Sequence, residues 1–123
     1  MNRVIDYGTH VISDIWMHEI SENIFNDFSY IRNLLVDAAK KMEATVLFVN
    51  DHCFENNGYT CIVGLAESHI SIHTWPEHNF MAIDIYTCGK CNPLDGLRHI
   101  EKTLEKHCKK LEMKLSILKR GKT

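Results

Sequence analysis

The sequence predicts an α+β two-layer sandwich: one antiparallel sheet with two helices on one face, dimerising into a larger assembly. Three observations carry this. Short runs rich in β-branched and aromatic residues are separated by turn residues, as in strands. Two longer stretches repeat apolar residues at helical spacing. The elements fall as strand, helix, strand, strand, then strand, strand, helix, strand, so neighbouring strands join through tight turns while helices collect on one side. The other face of such a sheet lacks a cover, which predicts a homodimer.

In chain order, residues 9 to 17, "THVISDIWM", read as a strand, and "SENIFND" as a polar connection. From about Asp27 to Met42 the apolar residues Ile31, Leu34, Leu35, Ala38 and Met42 follow helical spacing. "ATVLFVN" is a short buried-strand pattern, "ENNG" a turn, and "YTCIVGLA" its antiparallel partner. "HISIH" alternates as a strand, "WPEHN" turns, and "FMAIDIYTC" is again a strand. "NPLDG" opens a helix, with Asn92 able to cap and Pro93 suited to the first helical position. Leu97, Ile100, Leu104, Cys108 and Leu111 form its apolar stripe, and "EMKLSIL" closes the chain as a strand.

A chain of 123 residues suits a single domain, 1–123, and 45% hydrophobic with 24% charged residues is ordinary for a globular protein. Net charge is -2 and the basic residues are scattered except for the tail "LKRGKT", so no nucleic-acid partner is expected. No segment approaches a membrane span and the N-terminus lacks a secretory pattern, so a cytoplasmic location is expected. Five cysteines, Cys53, Cys61, Cys88, Cys91 and Cys108, form an odd set, and reduced thiols are expected.

The stretch "GLAESHISIHTWPEH", residues 64 to 78, gathers two glutamates, two serines and three histidines. Three chemistries compete for it. The simplest leaves His69, Ser71 and His73 half-solvated on one strand face, although burying so many polar groups unpaired is costly. A second is zinc, with His69, His73, His78, Cys88 and Cys91 as donors, although a clean second half-site is missing and no βαβ pattern supports a redox CxxC. A third is covalent. The Ser68 hydroxyl can attack the carbonyl of the preceding residue if the backbone is strained and a base is near. The resulting ester is cleaved by β-elimination, and the dehydroalanine hydrolyses to a pyruvoyl group.

"LAESHISIHTWPE" followed by "DIYTCG" closely resembles the signature of bacterial and archaeal S-adenosylmethionine decarboxylases, pyruvoyl-dependent enzymes of spermidine synthesis. "THVISDIW", "ATVLFVNDHCFENNG" and "NPLDGL" extend the resemblance over most of the chain. It implies autocatalytic cleavage at Glu67-Ser68 into a β chain, 1–67, and an α chain, 68–123, with the pyruvoyl cofactor derived from Ser68 and no metal. The pyruvoyl ketone would hold S-adenosylmethionine as a Schiff base during loss of CO2. His73 matches a histidine that supports processing, and Thr60 falls where the family usually has a serine assisting that step. Cys88 matches the proton donor, Phe54 an aromatic that stacks on adenine, Glu77 a carboxylate on the ribose hydroxyls, and Asp14 an acidic residue near the substrate. Cys91 has no counterpart.

The chain departs from the family in "GYTC", residues 58 to 61, and in the loop "CGKCNPLDGL". These departures keep open an alternative, a pyruvoyl-dependent arginine or ornithine decarboxylase on the same scaffold. A free amino acid offers neither ring nor diol, so Phe54 and Glu77 favour the nucleoside. A chain that never processes is the non-enzymatic alternative. The resemblance also implies an (αβ)2 dimer with sites shared across its interface.

Overall fold

A computed structural model describes residues 5–122; residues 1–4 and Thr123, the ends of the N-terminal segment and of the basic tail, lie outside the described residues. The strands are β1 (Ile5–Ile20), β2 (Val46–Cys53), β3 (Tyr59–Leu65), β4 (Ser68–Trp75), β5 (Phe80–Thr87) and β6 (Cys108–Lys122). The helices are α1 (Phe28–Lys41), between β1 and β2, and α2 (Pro93–Glu105), between β5 and β6. The strands form one sheet in the order β2-β3-β4-β5-β1-β6, and every pairing is antiparallel. The expected order of elements is the observed one.

Local chemistry sets the helix starts. Asp27 accepts a hydrogen bond from the Tyr30 amide at 3.0 Å and caps α1. Asn92 does the same for the Leu94 amide at 3.0 Å, with Pro93 opening α2. Ile31, Leu34 and Leu35 of α1 and Leu97, Ile100 and Leu104 of α2 are buried against one face of the sheet. That face is built by period-two alternation: along β5, Met81, Ile83 and Ile85 are buried, while the residues between them are half-buried. No helix among the described residues is long and apolar enough to cross a membrane.

Three expectations need correction. β2, read as a buried strand, is an edge strand on which Leu47 and Phe48 are exposed. The stripe assigned to the second helix included Cys108 and Leu111, but α2 stops at Glu105 and both residues lie on β6. β1 offers a long free edge, and residues from 108 onward pair with it, Cys108 opposite Ile20 and Leu111 opposite Met17. Leu111 and Met113 still pack on the core, because spacing of two serves a strand as spacing of three or four serves a helix. β1 is also longer than residues 9 to 17. It passes through a register shift between Asp6 and Gly8, where Gly8 has φ +139, and that backbone is readily open only to glycine.

The opposite face of the sheet carries no helix. Ile12, Ile62, Trp75 and Leu118 stand on it, 41%, 41%, 40% and 47% exposed, around a polar centre. Isolated exposed apolar residues are ordinary; here four of them share one face, each on a different strand.

Candidate active site

The Glu67-Ser68 bond lies at the tight turn from β3 to β4, where Leu65 and Ser68 are opposed. Short hairpin turns need a residue in the left-handed region, a place taken most easily by Gly or Asn. Here Glu67 takes it, with φ +61. A side chain with a Cβ costs about 1–2 kcal/mol in that region, so strain sits directly on the carbonyl that Ser68 would attack. Ser68 Oγ accepts a hydrogen bond from the Cys88 amide at 3.3 Å. The Cys88 thiol lies 3.9 Å from Ser68 Oγ, 3.4 Å from the Glu67 carbonyl oxygen and 3.3 Å from Glu67 Oε2.

Cys88 reaches this position because β5 ends at Thr87 and the chain turns at once through Gly89, φ +70. The Thr87 hydroxyl donates to the Cys91 carbonyl at 2.9 Å and fastens that turn. Burial and the Glu67 carboxylate push the Cys88 thiol up, the Ser68 hydroxyl opposing them. The thiol therefore keeps its proton at neutral pH.

The other expected residues gather at the opposite end of β4. His73 Nδ1 and the Thr60 hydroxyl, opposed across β3 and β4, are 3.0 Å apart. With Phe54 and Trp75 they line a depression of about 280 Å³. Phe54 is about half exposed (49%), so it is a surface ring and not part of the core. Glu77 follows in a short 3-10 turn, Pro76–His78. Asp14 lines a neighbouring depression of about 290 Å³ with Ser71, His73 and Asp84.

Ser68 and His73 are five steps apart along an extended strand, roughly 17 Å at 3.4 Å per step. Ser68, Glu67 and Cys88 thus come together at one end, and Thr60, His73 and Phe54 at the other. Within one chain the two sets do not meet.

Between them lies a cluster that sequence reasoning passed over. His10 Nε2 and His69 Nε2 meet the same carboxylate oxygen of Asp84, at 2.7 Å and 3.0 Å. The Ser71 hydroxyl donates to its other oxygen. Burial would raise the Asp84 carboxyl, but the hydrogen bonds from Ser71, His69 and His10 outweigh it and hold the group below its ordinary range. The signal was faint: a period of two in "THVISD" and "FMAIDIY" puts His10 and Asp84 on the face opposite buried Val11, Ile83 and Ile85, but Ile12 and Ser13 break the polar alternation. As for zinc, no three of His69, His73, His78, Cys88 and Cys91 converge; among the described residues only His10, His69 and Asp84 hold their ligand atoms within 4.8 Å of one another.

Comparison with known proteins points in one direction. The family model described as S-adenosylmethionine decarboxylase matches residues 9–121. A chain from Thermodesulfovibrio yellowstonii named S-adenosylmethionine decarboxylase proenzyme is 46% identical over 83 residues, 68% of this chain and 60% of that protein. A "proenzyme 2" of the same name from Bacillus cereus is 43% identical over 109 residues, 85% of this chain and 87% of that one. In Methanococcus maripaludis (strain C5) a proenzyme of that name is 41% identical over 99 residues, 80% of each chain. The crystal structure of the adenosylmethionine decarboxylase from Aquifex aeolicus superimposes with a TM-score of 0.72 at 31% identity, covering 90% of this chain and 89% of that one.

Proposed function

Because the chain belongs to the S-adenosylmethionine decarboxylase family, we propose that it is a proenzyme that cuts its own Glu67-Ser68 bond and then decarboxylates S-adenosylmethionine. The observation that carries this reading is the turn itself, with left-handed Glu67 directly before Ser68 and Cys88 against both. The relatives described above are S-adenosylmethionine decarboxylase proenzymes, which favours the nucleoside over arginine or ornithine.

Ser68 Oγ attacks the Glu67 carbonyl carbon, and the C–N bond gives way to an ester as the Ser68 nitrogen takes up the hydroxyl proton. Removal of the Ser68 α-proton then expels the Glu67 carboxylate from Cβ. Water replaces the nitrogen, ammonia leaves, and residue 68 becomes a pyruvoyl group. The surroundings suit such a group: once Oγ has left with Glu67, the Cys88 amide that donated to it is a free donor beside residue 68, and the Cys88 thiol lies next to it. Once formed, it supplies an electron-withdrawing carbonyl for the pair left by departing CO2. Cys88, its thiol kept protonated, delivers a proton to the α-carbon of the product. Phe54 offers a face to adenine, Glu77 accepts the ribose hydroxyls, and Asp14 borders the substrate. The product is the aminopropyl donor for spermidine synthesis, made in the cytoplasm.

The working unit in this reading is a homodimer of αβ protomers. Ser68 and His73 sit at opposite ends of β4, beside a face that has no cover. A two-fold axis passing near Ser71 lays a second copy's β4 antiparallel across the first, bringing each copy's His73 and Thr60 toward the other's Ser68. Complementation tests this. His73→Ala alone is expected to cut slowly; mixed with uncuttable Ser68→Ala chains during expression, it is expected to be cut. Continued failure to cut in the mixture would place both residues in one copy's site.

Intact-mass spectrometry under denaturing conditions tests the function. Two fragments are expected, with the 68–123 piece lighter by one ammonia than a serine-started peptide, together with CO2 release from S-adenosylmethionine. An intact, inactive chain would sink the proposal. Phe54→Ala is expected to raise KM for S-adenosylmethionine about tenfold, since base–aromatic stacking contributes roughly 1–3 kcal/mol. Unchanged steady-state kinetics would remove Phe54 from the substrate site.

A further inference from the structure

The loop after β5, "CGKC", carries a second thiol that none of the roles above uses. β5 ends at Thr87, residues 89 and 90 form a tight turn, and α2 begins at Pro93. Cys88 and Cys91 therefore stand at the first and fourth positions of that turn, which places their α-carbons within about 7 Å of each other. A disulfide spans roughly 4.4–6.8 Å between α-carbons, so the pair is within bridging reach with the fold intact. Gly89, φ +70, supplies the left-handed residue that closes the turn. The Thr87 hydroxyl, donating to the Cys91 carbonyl at 2.9 Å, and the Asn92 cap on Leu94 hold its far end.

Cys88 and Cys91 are both partly exposed, and nothing comes within 4 Å of where a Cβ on Gly89 would stand, so a small oxidant has access. Burial chiefly, then Glu67, raises the Cys88 thiol, and negative charge on Cys91 adds a last part, which requires the two side chains to be neighbours. Cys53, Cys61 and Cys108 lie on β2, β3 and β6, and none is paired in register with another cysteine. The turn is not the helix-opening CxxC of a thiol–disulfide oxidoreductase, because α2 starts only after both cysteines. A bridge here acts on the protein's own chemistry.

We propose that Cys88 and Cys91 are a reversible redox pair whose disulfide switches the decarboxylase off. The switching rests on the reading of Cys88 as proton donor; the bridge does not. The oxidant is a low-molecular-weight disulfide, oxidised glutathione. One cysteine thiolate attacks it to form a mixed disulfide and releases one glutathione. The second thiolate then displaces the other glutathione and closes the ring. Two protein thiols are oxidised, one glutathione disulfide is reduced, and the two protons pass to the released glutathiones. The closed form has no S–H left at residue 88 to protonate the product. A bridge across so short a loop constrains little of the unfolded chain, and an exposed one is readily reduced. It is the transient kind that a reducing compartment permits.

The protein as purified is incubated with oxidised glutathione, alkylated with iodoacetamide, and read by intact mass and peptide mapping. CO2 release from S-adenosylmethionine is followed in parallel. Expected are two fewer alkylated thiols than in the reduced protein and an internal Cys88–Cys91 link. Activity is expected to fall about a hundredfold, the loss of a positioned acid, and to return with dithiothreitol. Cys91→Ser is expected to keep the basal activity and, after the same treatment, to retain glutathione on Cys88, which the unsubstituted chain sheds. Free Cys88 and Cys91 after treatment, a stable glutathione adduct on Cys88 beside a free Cys91, or full activity in the linked protein would overturn the proposal. Should Cys91→Ser not fold, the peptide map of the unsubstituted protein decides the bridge alone. A linked chain that releases no CO2 before oxidation or after reduction upholds the bridge and sinks the decarboxylase reading, and with it only the switching.

Discussion

Replacing Ser68 with Ala is expected to leave one uncut chain with no decarboxylase activity. The loss is complete because the hydroxyl has two successive uses, first as nucleophile toward Glu67 and then as the atom eliminated to make the carbonyl group. No neighbour can substitute: the Cys88 thiol lies 3.4 Å from the Glu67 carbonyl oxygen, but attack from there would leave residue 68 without a leaving group on its Cβ. The fold should survive, since the hydroxyl accepts only the Cys88 amide and receives a distant thiol contact. A single mass under denaturing conditions, an unchanged thermal midpoint and no CO2 release are the expected results together. Any fragment beginning at residue 68, or any activity, would show that chemistry proceeds by another route.

Cys88→Ala is expected to separate making the enzyme from running it. Cutting should persist, because the backbone amide of residue 88, which meets Ser68 Oγ, is kept in the variant. Decarboxylation should fall by about 10²–10⁴, the usual contribution of a positioned acid. The direction of the thiol's shift matters here. Burial and the Glu67 carboxylate raise it, so the thiol is loaded with its proton at neutral pH and loses it only above the ordinary thiol range. Fragment masses report the cut and CO2 release reports turnover. Full activity would dismiss Cys88 as the donor. An uncut chain would instead place its role in holding the Glu67 turn.

Much of the architecture was legible because each element carried its own local signal. The alternation in "FMAIDIYT" and the Asn92-Pro93 start of α2 needed no tertiary knowledge. Failures came where two periodicities fit the same residues. Cys108 and Leu111 extend a helical stripe, yet Leu111 and Met113 serve a strand equally well, and the free edge of β1 decided between them. The site divided in the same way. Ser68 and Cys88 were legible from the resemblance of "AESHISIH" and "YTCG". The gap between Ser68 and His73 could have been read from their spacing along one strand, whereas the place of Cys88 beside Ser68 could not, because it follows from the pairing of β4 with β5. His10 and Asp84 were missed because neither looks unusual within its own strand. Only the pairing of His10 and of His69 with Tyr86, two residues from Asp84, brings the three side chains together.

Strand order has a last consequence. β1, N-terminal to the proposed cut, lies between β5 and β6, C-terminal to it, while β3 borders β4. A chain cut at Glu67-Ser68 as proposed would hold two interleaved pieces, and neither could leave without unzipping the sheet on both sides. Folding of the uncut chain is a unimolecular event, whereas the cut pieces, once unfolded, would have to find each other in solution, and residue 68 could not be rebuilt into a serine. Under the proposed maturation, persistence of the fold would therefore come to depend on its unfolding rate.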